Sequence, residues 1–353
     1  MRLSILNRIA FLVRVLKSPL IIIVNIYSLD MKSNKIITEI RRSIQNVYSI
    51  DKNIIKICFI WLFLSGLFAI YYYQTVLSPH LVSLPNWFEN ILHGNAASPY
   101  NYRLLAPSLF KAVDLASPIN SDYNIFIATF ICFLFSFALL MRAIAFQLTD
   151  RSSINSLLFT SFFILLTFPM GGVQPWSYID IGLYALAYIA VNNAWKTRYY
   201  LIILSFALLN RETGYLLSMI PFMIAMLNKK VFLNFSLYKK EILILVYGII
   251  FLLFIRLFQG AATHVITTEE VFSRNFSPEA FVVNVFVYGG AFFWLLIGER
   301  VKLSNVEKAF IGILIINVIL ILFFGLFREI RMFVPYTFLF GLVYSRRSKK
   351  SAV

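Results

Sequence analysis

The feature that most constrains this chain is its repeated return to long apolar runs without charge, such as residues 57–73, 243–255 and 309–326. About 20 such residues cross a bilayer as a helix, and only helices or closed barrels satisfy every backbone polar group there. Apolar residues make up 60% of the 353-residue chain and charged residues 14%, with a mean hydropathy of +0.78. No soluble domain of this size hides so much apolar surface, so lipid must be the solvent. The expected fold is all-α, a polytopic transmembrane helical bundle of about ten segments. They are placed near 54–76, 124–146, 155–169, 178–195, 200–209, 214–227, 242–258, 281–298, 309–326 and 331–345.

The formal charge of +16 follows this topology. With the N-terminus in the cytoplasm, 25 of the 32 basic residues fall on the cytoplasmic side, as the positive-inside rule requires. Both termini are then cytoplasmic. There is no basic stripe interleaved with stacking aromatics, so nucleic acid is excluded as a partner. The expected organisation is a basic N-terminal segment (1–53), a membrane domain (54–345) with outer loops at 77–123 and 259–280, and a basic tail (346–353). Residues 1–30 read either as an interfacial amphipathic helix or as an extension ahead of a start at Met31. Cys58 and Cys132 lie in apolar runs and suggest neither a disulfide nor a zinc site.

One helix through Lys196–Lys230 would put Arg211 and Glu212 at mid-membrane and leave basic flanks at both ends. A hairpin of two short arms, Tyr200–Leu209 and Gly214–Leu227, resolves both problems. Each arm rises about 15–21 Å, short of the roughly 30 Å hydrocarbon core, so the Asn210-Arg211-Glu212-Thr213 turn should lie below the outer surface. The first outer loop carries Pro85, Pro99 and Pro107 and an amphipathic stretch over Leu104–Val113, and should form short helices lying on the membrane.

Four polar clusters are expected at the outer face: Trp87–Asn90 with His93 and Tyr100–Arg103; Pro175–Asp180; Asn210–Thr213; and Arg328–Arg331. Charge at membrane depth is costly and points to function, although internal ion pairs such as Arg211 with Glu212 or Arg331 with Glu329 would serve structure alone. Arg103, Arg211 and Arg331 come from distant parts of the chain and should end at one face. Guanidinium groups bind phosphate oxygens bidentately and stay charged, so three of them at a lipid boundary suit a lipid-linked phosphate. Trp87, Tyr100, Tyr102, Trp176 and Tyr178 could stack on sugars or simply belong to an interfacial aromatic belt. Glu89, Asp180, Glu212 and Glu329, with His93 behind them, are the candidates for acid or base work. Glu89 is the first choice because no arginine adjoins it in sequence. Asp180 could instead cap a helix or bind Arg103. A divalent metal has weak support in His80, His93 and His264 with Glu269-Glu270, which lack ligand spacing.

The stretch LIILSFALLNRETGYLLSMIPFMIAML (Leu201–Leu227), together with Pro169 and the Asp180-bearing helix ahead of it, resembles the C-type (GT-C) integral membrane glycosyltransferases. The resemblance covers about residues 54–230. Many members have Lys-Gly where this chain has Arg211-Glu212-Thr213-Gly214, and the chain lacks the family's acidic pair in the first loop and its large C-terminal soluble domain. The resemblance implies transfer of a sugar from a polyprenyl-phosphate donor to a glycan or lipid-linked acceptor, at the outer face of a bacterial cytoplasmic membrane. It places the catalytic carboxylate in the first outer loop, where Glu89 is the match. Asp180 would support it, and Arg103, Arg211 and Arg331 would hold phosphate. A Wzy-type O-antigen or capsule polymerase is the nearest alternative, followed by a polysaccharide or lipid flippase and a non-enzymatic assembly subunit.

Overall fold

The computed structural model describes residues 56–96, 100–117, 120–144, 151–167, 176–229, 238–260, 303–324 and 334–350, with Ser273, Ser277 and Pro278. The expected interfacial helix at 1–30, the span at 281–298, most of the loop 259–280 and the Arg328–Arg331 cluster lie outside them. Every regular element among the described residues is helical.

The first helix, α1 (Lys56–His80), is a 25-residue run that passes through a π turn at Tyr73–Leu77 and ends in a 3₁₀ turn at Ser78–His80. Two short helices follow, α2 (Leu84–Leu92) and α3 (Leu105–Ala116), where an amphipathic stretch is expected from the sequence. Next come α4 (Ser121–Ile144), α5 (Arg151–Thr167) and α6 (Trp176–Asn192). The pair α7 (Thr197–Asn210) and α8 (Leu216–Lys229) is joined by a 3₁₀ turn at Glu212–Tyr215. After α9 (Lys239–Gln259) come α10 (Asn305–Phe324) and α11 (Thr337–Lys350), the last entered through a 3₁₀ turn at Val334–Tyr336.

Three of these helices, α1, α4 and α9, are long and apolar enough to cross a membrane. Their exposed faces agree with a lipid solvent. On α1, Phe59, Phe63, Leu67 and Ile70 turn outward, and on α9 Leu243, Val246, Ile250, Leu253 and Leu257 do the same. Spacings of three and four residues make each set one continuous apolar stripe on a helix. In water such stripes would be sticky patches; against acyl chains they are solvated.

The centre of the bundle is the close packing of α4 on α6. A Cβ at Gly182 would fall 2.6 Å from the Phe135 ring and 3.1 Å from Ser136 Cα, so the bare glycine sets the approach of the two backbones. Ser136 Oγ, facing the same contact, donates to Tyr178 O at 2.5 Å. Around this pair, α1 is tied to α4 by Trp61 Nε1 donating to Leu134 O at 2.7 Å. Helix α11 lies against α5, and α10 lies against α8. Helix α10 begins with a capping box in which Ser304 N donates to Glu307 Oε2 at 2.8 Å and Glu307 N donates to Ser304 Oγ at 3.3 Å. That pairing satisfies amides which a helix start leaves without intrahelical partners.

The expected hairpin is present. Each arm has 14 residues, about 21 Å at 1.5 Å per residue. Arg211 leaves the helix with extended backbone, φ −157° and ψ 147°. The following 3₁₀ turn folds back onto the last turn of α7, so that a Cβ at Gly214 would lie 2.4 Å from both Ala207 C and Ala207 O. Only glycine fits there. Tyr200, one end of α7, donates to Leu217 O at 2.7 Å and fixes the second arm beside the first.

Candidate functional site

The reversal after α7 delivers two consecutive polar side chains to the flank of α6. Asn210 Nδ2 donates to Asp180 Oδ1 at 2.6 Å, and Arg211 Nη1 approaches Asp180 Oδ2 at 3.5 Å. Asn210, Arg211 and Asp180 are all buried, with the two charged side chains 2% and 1% exposed. The second distance is long for a hydrogen bond, so the Asp180–Arg211 contact is chiefly electrostatic, with Asn210 fixing the carboxylate. One helical turn further along α6, Tyr184 OH donates to Thr213 O at 3.1 Å, and its ring meets Tyr336 edge-on at 5.1 Å. The hairpin turn is thus held by α6 at two levels.

Arg103 reaches the same place from the first loop. It follows the 3₁₀ turn Tyr100–Tyr102, closes it with its backbone N donating to Tyr100 O at 3.0 Å, and lays its guanidinium 4.9 Å from the Tyr100 ring centroid. The side chain is buried, 5% exposed, and its neighbour Tyr102 meets Arg256, the partner of Glu212, which sets this loop beside the hairpin turn. Asp180 and Arg211, 31 positions apart, thus form a buried ion pair, and a second buried guanidinium, Arg103, lies on the loop set beside the same turn. Burying such charges is stabilising only when they are mutually paired and hydrogen-bonded.

A rim surrounds this group. Glu212 accepts from Arg256 at 3.1 Å (Nε) and 2.7 Å (Nη2), and Arg256 also stands 5.6 Å from the Tyr102 ring centroid. Tyr102 OH donates to Gly260 O at 3.5 Å, and Gly94, at φ +74°, packs against Gln259 at the end of α9. The first loop therefore rests on the end of α9.

Glu89 lies outside the buried group, on α2. It accepts from Lys111 of α3 at 2.5 Å, with His93 Nδ1 3.6 Å from its other oxygen. The sequence gives Glu89 no neighbouring arginine, yet packing of α2 on α3 supplies a lysine. His93 closes α2, its Nδ1 also 2.8 Å from Glu89 O. Three sequence expectations change here. Arg211 pairs with Asp180 and not with Glu212, whose partner is Arg256. Asp180, in the second turn of α6, engages the hairpin and does not cap its own helix. Tyr178 is no sugar platform, because it is buried between Tyr72 and Phe133 at ring distances of 4.9 and 5.3 Å. Arg331 and Glu329, and the side chain of Trp176, fall outside the described residues. Arg256 is not among the residues expected from the sequence, although a single cation near the end of an apolar 21-residue helix is a visible signal.

Among the described residues no three His, Cys, Asp or Glu side chains gather to hold a metal ion. Asp180 is a poor beginning for such a site, since its oxygens face an amide donor and a guanidinium. His264, Glu269 and Glu270 lie outside the described residues. Compared with known proteins, the chain matches no family model, no curated protein and no solved structure.

Proposed function

We propose that the chain is a multi-pass membrane glycosyltransferase that resembles the GT-C type and moves a sugar from a polyprenyl-phosphate donor to a glycan or lipid-linked acceptor. The observation that supports this most is the buried Asp180–Arg211 pair with a second buried guanidinium, Arg103, on the loop that rests against the same turn through Tyr102 and Arg256. A phosphate needs several fixed cations, and cations in apolar surroundings act far more strongly than in water. In this reading ten segments cross or enter the membrane, both termini are cytoplasmic, and these residues lie towards the outer face of a bacterial cytoplasmic membrane.

The acceptor hydroxyl oxygen attacks the anomeric carbon, forming the new glycosidic bond. The bond from that carbon to the phosphate oxygen breaks, and its electron pair leaves on the phosphate. Arg103 and Arg211 stabilise that charge as it develops. Asp180 holds Arg211 in place through the pairing described above. Glu89 takes the hydroxyl proton on Oε2, which His93 Nδ1 approaches at 3.6 Å, while Lys111 holds Oε1.

The test is transfer of labelled sugar from a polyprenyl-phosphate donor in proteoliposomes. Arg103→Gln and Arg211→Gln should each lower kcat/KM by roughly 10²–10³. Lysine at either position should not restore it, because a point charge does not reproduce the guanidinium fork. Full activity in both Glu89→Gln and Asp180→Asn would sink the roles given to the carboxylates.

A further inference from the structure

Arg256 touches both segments that carry the buried guanidiniums. It binds Glu212, the residue after Arg211, and lies against the ring of Tyr102, the residue before Arg103. Unlike those two, it is half exposed, 52% against 25% for Glu212. Its carboxylate partner meets it through one oxygen, Glu212 Oε1, which receives both Nε and Nη2. An ion pair open to solvent contributes little to stability, about 0–1 kcal/mol. Its two members are therefore free to exchange partners when a better-matched anion arrives, and a phosphate oxygen pair matches the Nε–Nη2 edge better than one carboxylate oxygen does.

From this placement we infer that Arg256 is a third anion-binding residue, occupied at rest by Glu212 and exchanged onto the phosphate-bearing headgroup when a lipid phosphate binds. This rests on the function proposed above and deepens it. The Glu212 carboxylate acts as a resident competitor that holds the rim closed. Exchange moves a positive charge onto the ligand and leaves Glu212 on the turn beside Arg211.

The exchange predicts opposite signs for two substitutions, where a purely structural ion pair predicts the same sign. Binding of geranyl phosphate to the full chain in detergent, measured by isothermal titration calorimetry, separates them. Arg256→Gln should weaken binding about five- to tenfold. Glu212→Gln should tighten it severalfold, and the double variant should bind as Arg256→Gln does. Equal losses in the two single variants, or no change in either, would overturn the exchange. Arg103→Gln serves as the separate reference: if it abolishes binding while the Arg256 and Glu212 variants match wild type, the buried anion site stands and Arg256 has no part in it. If wild type does not bind the probe at all, the lipid-phosphate reading itself fails.

Discussion

Replacing Asp180 by asparagine removes the carboxylate that faces the buried Arg211 guanidinium while keeping the size of the side chain. Breaking a buried charge group from one side costs about 3–5 kcal/mol, far more than deleting a surface pair. Asp180→Asn should therefore lower the midpoint of thermal unfolding in detergent, whereas Glu89→Gln, at a partly exposed pair, should leave it nearly unchanged. Lys111 offers a second residue-level test. Its hydrogen bond to Glu89, followed by the attraction of that charge, holds the ammonium form above the usual lysine range of 10.5. The sign follows: the contact is fully present below the ordinary lysine pKa and is lost only as pH rises through the raised value. Methylation with ¹³C followed by NMR titration should show Lys111 titrating late, and returning towards the ordinary value in Glu89→Gln. Such pairings could not be read from the sequence, because Glu89 and Lys111 are 22 positions apart, and Glu212 and Arg256 are 44 apart. Helix packing decides which cation meets which carboxylate, and no local pattern encodes it.

Elements were more legible. The apolar runs around 124–146, 155–169, 178–195 and 242–258 lie where α4, α5, α6 and α9 are found, within a few residues, because apolar length directly sets where a helix can meet lipid. The hairpin was legible for a different reason, the conflict between two mid-run charges and basic residues at both ends. What the sequence left open was the tightness of the reversal. Gly214 lies against the carbonyl of Ala207, so Gly214→Ala forces backbone apart and not a flexible side chain. A cost of about 1–3 kcal/mol or more is expected. Because the turn carries Arg211, binding of geranyl phosphate should weaken together with stability. Gly66→Ala serves as the contrast: on α1, with no positive φ, its Cβ would meet nothing nearer than Phe130 Cε2 at 3.9 Å, an ordinary contact, so neither stability nor binding should fall.

At the scale of the whole molecule, the two ends of the bundle carry different chemistry. One end holds Arg103, Asp180, Arg211 and the Arg256 rim; the other holds the start of α10, where Asn305 Nδ2 donates to Asn228 Oδ1 at 2.6 Å. The positive-inside distribution predicts that a single cysteine at Asn95, in a chain with Cys58 and Cys132 replaced, reacts with an impermeant maleimide added outside intact cells. One at Asn228 should react only after the membrane is opened. The reverse pattern would invert the proposed orientation. The short hairpin has one more consequence, for the order of synthesis. In the proposed topology Arg211 enters the hydrocarbon, where a bare arginine costs about 2.5–3.5 kcal/mol by translocon scales, so the two arms would gain little by leaving the insertion channel unaided. Its counter-charge is made first: Asp180 emerges 31 residues before Arg211. The ribosome therefore supplies the acceptor before the cation that requires it, and a rearranged gene in which α7 and α8 precede α6 should stall at the channel and be degraded.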